Sequence, residues 1–201
     1  MSQTKEYTIV MAGSAASRAA LDILIKEREG FNKRYSTRYI ENAEEKLKKG
    51  IISDNTLEHI IEVLTPKAFS LCGKEGVFSA LYELGEALGC GLRIGLYDIP
   101  IEQSAIELCD LKDINPYESD STGNIVLAVK DAGAAADRAE KLGIVLKVLG
   151  YTTAANARIV AADTERYLTP SGKKLLYSYY RQPGDDCKKN NSFVKLTEET
   201  V

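Results

Sequence analysis

The five-residue run IVLAV, Ile125–Val129, carries no polar side chain and is fenced by Gly123-Asn124 before it and Lys130-Asp131 after it. A stretch this short and apolar on both faces predicts a strand near the middle of a sheet, buried from both sides. That placement demands sheet partners and covering helices from the rest of the chain.

The remaining sequence offers both. Strands are predicted at residues 7–12, 68–72, 92–96, 144–149 and 157–161, with residues 165–168 as a hairpin partner. A helix over 15–29 gains an apolar stripe from Leu21, Leu24 and Ile25, with Gly30 as its stop. A charged helix follows over 35–49, closed by Gly50. Leu57, Ile60, Ile61 and Leu64 then fall at i, i+3, i+4, i+7, which predicts a third helix, capped by Asp54 or Asn55 and ended by Thr65-Pro66. In a helix over 76–88, Val77, Leu81, Leu84 and Leu88 face inward and Glu83 and Glu86 outward. Further helices are predicted over 101–111, after a capping Asp131, and over 171–180. The alternation of strands and helices implies an α/β (α+β) layered sandwich over residues 1–182. The polar stretch 183–201 is expected to be a mobile tail.

The 201 residues are 44% hydrophobic and 27% charged, with a net charge of -3. No excess of Lys and Arg is available to release counterions from a nucleic-acid backbone, so nucleic acid is not an expected partner. Cys72, Cys90, Cys109 and Cys187 have neither zinc-knuckle nor CxxC spacing and are expected to be free thiols in a reducing cytoplasm. Neither a signal peptide nor a membrane span is expected. His59 is the only histidine. It lies about 200° around its helix from Leu57, facing solvent, so no histidine-based metal site or catalytic triad is predicted. Tyr177, Tyr179 and Tyr180 are expected to serve packing or an interface.

The ordered segments GVFSALYELGEALGCGLRIGLYDIPI, INPYESDSTGNIVLAV, KLGIVLKVLGYTT and ARIVAAD, the last leading into RYLTP, cover about half the chain. Together they resemble the C-terminal domain of AIR-synthase-related proteins, the group that includes hydrogenase-maturation factors. The resemblance implies a mixed sheet flanked by helices. It also implies that complete relatives carry an N-terminal domain, supplying the dimer sheet and most nucleotide contacts. Only six residues precede the first predicted strand, so the expectation is a free-standing C-terminal domain.

In the family the turn before the Gly76 helix reads D-x-T-x-G-G, a pattern suited to an anion at a helix N-terminus. Here it reads Leu71-Cys72-Gly73-Lys74-Glu75-Gly76. Leu71 stands in place of the Asp, Gly73 in place of the Thr, and Glu75 puts negative charge in the first helical turn. The candidate ligand or anion loops are therefore Gly73, Lys74 and Gly76, together with Ser121, Thr122 and Gly123, which lead into the central strand. No catalytic residue is identified.

Three functions follow as expectations. The first is a non-catalytic binding or assembly protein, a homodimer that needs no cofactor. The second is a subunit of a split ATP-dependent synthetase or maturation enzyme, in which ATP and Mg enter only with a separate nucleotide-binding chain. The third is a thiol sensor acting through Cys72 or Cys187, the latter beside Lys188 and Lys189.

Overall fold

The computed structural model describes residues 6–170 and 195–196. In chain order the elements are β1 (Thr8–Ala12), α1 (Ser17–Lys26), α2 (Arg28–Asn32), α3 (Thr37–Lys49), α4 (Asp54–Leu64), β2 (Ala68–Leu71), α5 (Gly76–Leu88) and β3 (Gly91–Gly95). A 3-10 turn, α6 (Gln103–Asp110) and a second 3-10 turn (Pro116–Glu118) lead to β4 (Ile125–Val129), α7 (Ala132–Glu140), β5 (Leu146–Thr153), β6 (Arg158–Ala161), β7 (Glu165–Tyr167) and β8 (Lys195–Leu196). The predicted helix at 171–180, with Tyr177, Tyr179 and Tyr180, lies outside the described residues. So does Cys187.

The strands form one mixed sheet in the order β7-β6-β3-β5-β1-β4-β2-β8. The β3–β6 pair is parallel and the other pairs are antiparallel. β4 is buried along its whole length, as its apolar run requires. One face of the sheet packs Ile9, Met11, Val126 and Leu149 against Val77, Leu81 and Leu84 of α5. The opposite face packs Val10, Ile125 and Leu127 against Leu57, Ile60 and Leu64 of α4 and Ala135 and Ala139 of α7. A third cluster joins α1, α3 and α6 through Leu21, Leu24, Ile40, Leu47 and Leu108. Burying one such leucine removes enough apolar surface to favour folding by about 2 kcal/mol. Arg158 fastens β6 to α5: its guanidinium lies 4.7 Å from the centre of the Tyr82 ring and 2.5 Å from Glu86.

Several local expectations differ from the structure. The first helix does not run unbroken to residue 29. It breaks at Glu27, and α2 passes through Gly30, because burial of Phe31 in the third cluster draws the chain inward and outweighs the glycine's poor helix propensity. Ser53, not Asp54 or Asn55, caps α4, its hydroxyl accepting from Thr56 N–H at 3.3 Å. Asp54 thereby sits in the first turn, where its charge complements the helix dipole. α6 begins at Gln103 rather than at residue 101, since Ile101 is held in a bridge to Ala15. β5 continues past Leu149 to Thr153, where β3 pairs with it from Gly150 onward. Leu149 is the extra residue of a bulge opposite Ile9 and Val10, which turns its side chain into the α5 core.

Candidate functional site

β2 and β4 run antiparallel with Leu71 opposite Ile125. The turn that leaves β2 and the loop that enters β4 therefore meet at one end of the sheet. A cleft of about 710 Å³ opens there between α4 and α5. Gly73, Lys74, Gly76, Thr122 and Gly123 line it, so five of the six predicted loop residues share one wall.

Ser121 does not line this cleft. It is fully buried, its hydroxyl accepts from Ala16 N–H at 2.9 Å and donates to the Ser119 carbonyl at 3.0 Å. It thus fixes the residue before α1, Ala16, which has φ 57 and gives the helix no side-chain cap, while the neighbouring Asp120 carbonyl accepts from the first-turn N–H of Ala19 at 3.0 Å. Its own N–H donates to the Gly73 carbonyl at 3.0 Å, which also accepts from Gly76 N–H at 3.1 Å. The two loops are consequently tied together through backbone.

Gly76 has φ +77, and a β-carbon there would stand 2.3 Å from the Tyr117 carbonyl oxygen and 2.7 Å from Glu118 Cα. The glycine lets the 3-10 turn pack directly against the start of α5. Tyr117 completes that contact by stacking on Phe78, ring centres 5.1 Å apart.

The charges around the cleft are mostly negative. Among the described residues, Asp54, Glu58, Glu75 and Glu83 line it against a single ammonium, Lys74. Glu83 departs from the expectation that it faces outward, because Ser70, buried on β2, donates to its carboxylate at 3.1 Å. Thr122 donates through both its N–H and its hydroxyl to Asp120, at 2.9 and 2.6 Å, so that loop is internally braced. His59 is exposed, with Nδ1 3.6 Å from Glu62, and does not line this cleft. Cys72 does line it, but burial pushes its thiol up to about 12, far from a thiolate at neutral pH. Burial also raises Cys90 and Cys109. Among the described residues, no group of three or more His, Cys, Asp or Glu is placed to hold a metal ion, and no helix is long and apolar enough to cross a membrane.

One residue that holds the site together is not apparent from motif reading. Asn124 is fully buried; its Oδ1 accepts from Ser14 N–H at 3.2 Å and its Nδ2 donates to the Ser14 carbonyl at 2.7 Å. Its own carbonyl accepts from Cys72 N–H at 2.9 Å. The only sequence signal for it is an amide directly abutting the apolar run of β4.

No protein-family model matches the chain, and no curated protein matches it. Solved structures do. The crystal structure of Escherichia coli HypE, a hydrogenase maturation protein, matches with TM-score 0.63 at 17% identity, over 84% of this chain and 51% of that one. A HypE structure in complex with ATP matches with TM-score 0.56 at 12% identity, over 82% of this chain and 50% of that one. Thiamine-monophosphate kinase from Stenotrophomonas maltophilia matches with TM-score 0.53 at 13% identity, over 75% of this chain and 48% of that one. The chain has the AIR-synthase-like fold of these proteins and spans about half their length.

Proposed function

We propose that this chain is a binding or assembly protein on an AIR-synthase-like domain and carries out no ATP-dependent chemistry by itself. The observation that carries the reading is the start of α5. Among the described residues four carboxylates oppose one lysine in the cleft, and the backbone of Tyr117 and Glu118 occupies the space beside Gly76. A phosphate chain brought there would meet net repulsion. The remaining surface of Gly73, Lys74, Thr122 and Gly123 is the proposed contact for a ligand or a partner segment.

We further assign the working form as a cytoplasmic homodimer. Support comes from a row across the outer half of the sheet, where Tyr151, Arg93, Ile159 and Tyr167 stand in register on adjacent strands. Tyr167 is 71% exposed. Aromatic and arginine side chains on an open sheet face are the composition of interface cores.

A second reading, a subunit of a split ATP-dependent maturation enzyme, is favoured by the alignment to only half of HypE, one structure of which holds ATP. ATP and Mg would then act only with a separate nucleotide-binding chain. The first reading is tested on the purified full chain, and the second by a pull-down, in which a co-purifying nucleotide-binding chain would favour it. Molar mass by light scattering should be that of a dimer. The thermal midpoint should stay unchanged with ATP, ADP and Mg²⁺. A ligand at one hundred times its Kd adds about 2.7 kcal/mol, or roughly 5–10 °C for a domain of this size. A rise of that order would show that the chain binds nucleotide by itself and would overturn the proposal, and a monomeric mass would remove the dimer.

A further inference from the structure

Leaving the two-residue β8 aside, the sheet ends in β7 on one side and β2 on the other, and these two strands are built differently. β7, Glu165-Arg166-Tyr167, is exposed along its length, and two of its three side chains are charged. Charges on an exposed edge keep a further strand from pairing there. β2, Ala68-Phe69-Ser70-Leu71, carries neither charge nor proline, and its first three residues are buried. Helices wall it on both faces: Ala68 packs in the α5 cluster and Phe69 in the α4 cluster. β2 therefore lacks the features by which an edge refuses a strand. It already accepts one, since β8 pairs antiparallel with it, Leu196 opposite Ala68 and Lys195 opposite Phe69.

We propose that the edge of β2 is a docking edge for an extended, apolar segment of a partner protein, and that β8 is the chain's own segment that covers it until the partner takes its place. The proposal rests on the reading of the chain as a binding or assembly protein and names how the partner binds. Residues 171–194 separate β8 from Pro170. Closing that much chain costs entropy that two residues of ladder offset only in part, so β8 holds the edge weakly enough to be exchanged. Past the residues that face β8, β2 continues through Ser70 to Leu71, which lines the cleft between α4 and α5. Ser70 points to α5, where it donates to Glu83, and Leu71 packs on the α4 side with Ile61. A strand added along β2 would lay alternate side chains toward Ala80 of α5 and toward Leu57 and Ile61 of α4, and these neighbours select apolar residues. Main-chain hydrogen bonds give such a strand its affinity, and the alternate side-chain positions give it specificity.

The bland alternative is that β8 is only a permanent cover for the edge. The double variant Lys195→Pro, Leu196→Pro of the full chain removes the β8 N–H groups and with them the ladder. The probe is a synthetic peptide of residues 192–201, SFVKLTEETV, titrated by fluorescence anisotropy. Saturable one-to-one binding to the double variant is expected, with binding to the unaltered chain about tenfold or more weaker because β8 competes from within the same molecule. The peptide should slow hydrogen exchange at residues 68–71 of the variant and leave residues 165–167 unchanged. The same peptide carrying Phe193→Asp and Val194→Asp should bind the variant at least about tenfold more weakly, since it brings charge to an apolar groove. Absence of saturation on the variant, equal affinity for the unaltered chain, protection at residues 165–167 in place of 68–71, or equal binding of the aspartate peptide would each overturn the proposal. A dimer of the unaltered chain that the peptide dissociates would make a second copy the occupant and overturn the assignment to a different protein. None of these outcomes touches the nucleotide test, so the proposal can fail while the reading of the chain as a binding protein stands. Should the double variant fail to fold, the single variant Leu196→Pro, titrated in the same way, decides it.

Discussion

Replacing Gly76 with alanine is expected to cost about 3 kcal/mol of stability, the sum of a left-handed backbone penalty and overpacking against a fixed neighbour. The backbone at Gly76 has φ +77, which L side chains rarely adopt, and the added methyl would meet the Tyr117 carbonyl at 2.3 Å. That neighbour is backbone, held by the Asn115 cap of its 3-10 turn and by the Phe78–Tyr117 stack, so it cannot step aside like a flexible side chain. For a domain of this size the loss corresponds to a fall in thermal midpoint of roughly 6–12 °C. Gly89→Ala is the matched control. Gly89 also has positive φ, at +63, but no heavy atom stands within 4 Å of a β-carbon there. It should lose only the backbone part, about 1–2 kcal/mol. Equal losses in the two variants, read from urea unfolding, would show that the 3-10 turn does not press on the start of α5.

The same contact explains why the site was only partly legible in the sequence. β4 was readable because every residue in it is apolar and the run is bounded on both sides. α5 was readable because its apolar residues recur at helical spacing. The AIR-synthase-like fold was legible through four ordered segments. Sheet order was not legible, since β1 finds its neighbours in β4 and β5, more than a hundred residues away. The two loops were predicted separately, and only the β2–β4 register brings Gly73 and Gly123 to one cleft. Ser121 reads as a ligand residue because hydroxyls in loops at strand ends often are. It is instead consumed in holding Ala16 at the start of α1, a contact across more than a hundred residues that no local pattern announces. Ser53 and Asp54 are both acceptable caps by type. The extended backbone at Ser53, φ -71 and ψ 152, selects between them.

Asn124 is the clearest case of a residue whose role is set by tertiary contacts, and Asn124→Asp should expose it through pH. The amide meets Ser14 with one acceptor and one donor, while Gly50 also accepts from the same Ser14 N–H at 3.0 Å. Asn124→Ala removes both contacts and leaves the Ser14 carbonyl poorly satisfied in a buried place, at a cost of about 2–3 kcal/mol that does not depend on pH. An ionised aspartate would do worse, since it is an acceptor only and would face the Ser14 carbonyl oxygen. A protonated aspartate can donate there again and restores the pair. Its pKa in the folded chain is thus raised above the unfolded value of about 3.9. Between those two values the folded chain binds more protons than the unfolded one, so stability falls as pH rises through the window. The deficit of Asn124→Asp relative to the unaltered chain, measured by urea unfolding, should therefore be at least about 2 kcal/mol larger at pH 7.5 than at pH 4.5. Asn124→Ala should show the same deficit at both. A deficit in Asn124→Asp that is also flat with pH would mean that the amide does not donate to Ser14, and that the end of β1 is tied to the cleft loop by backbone alone.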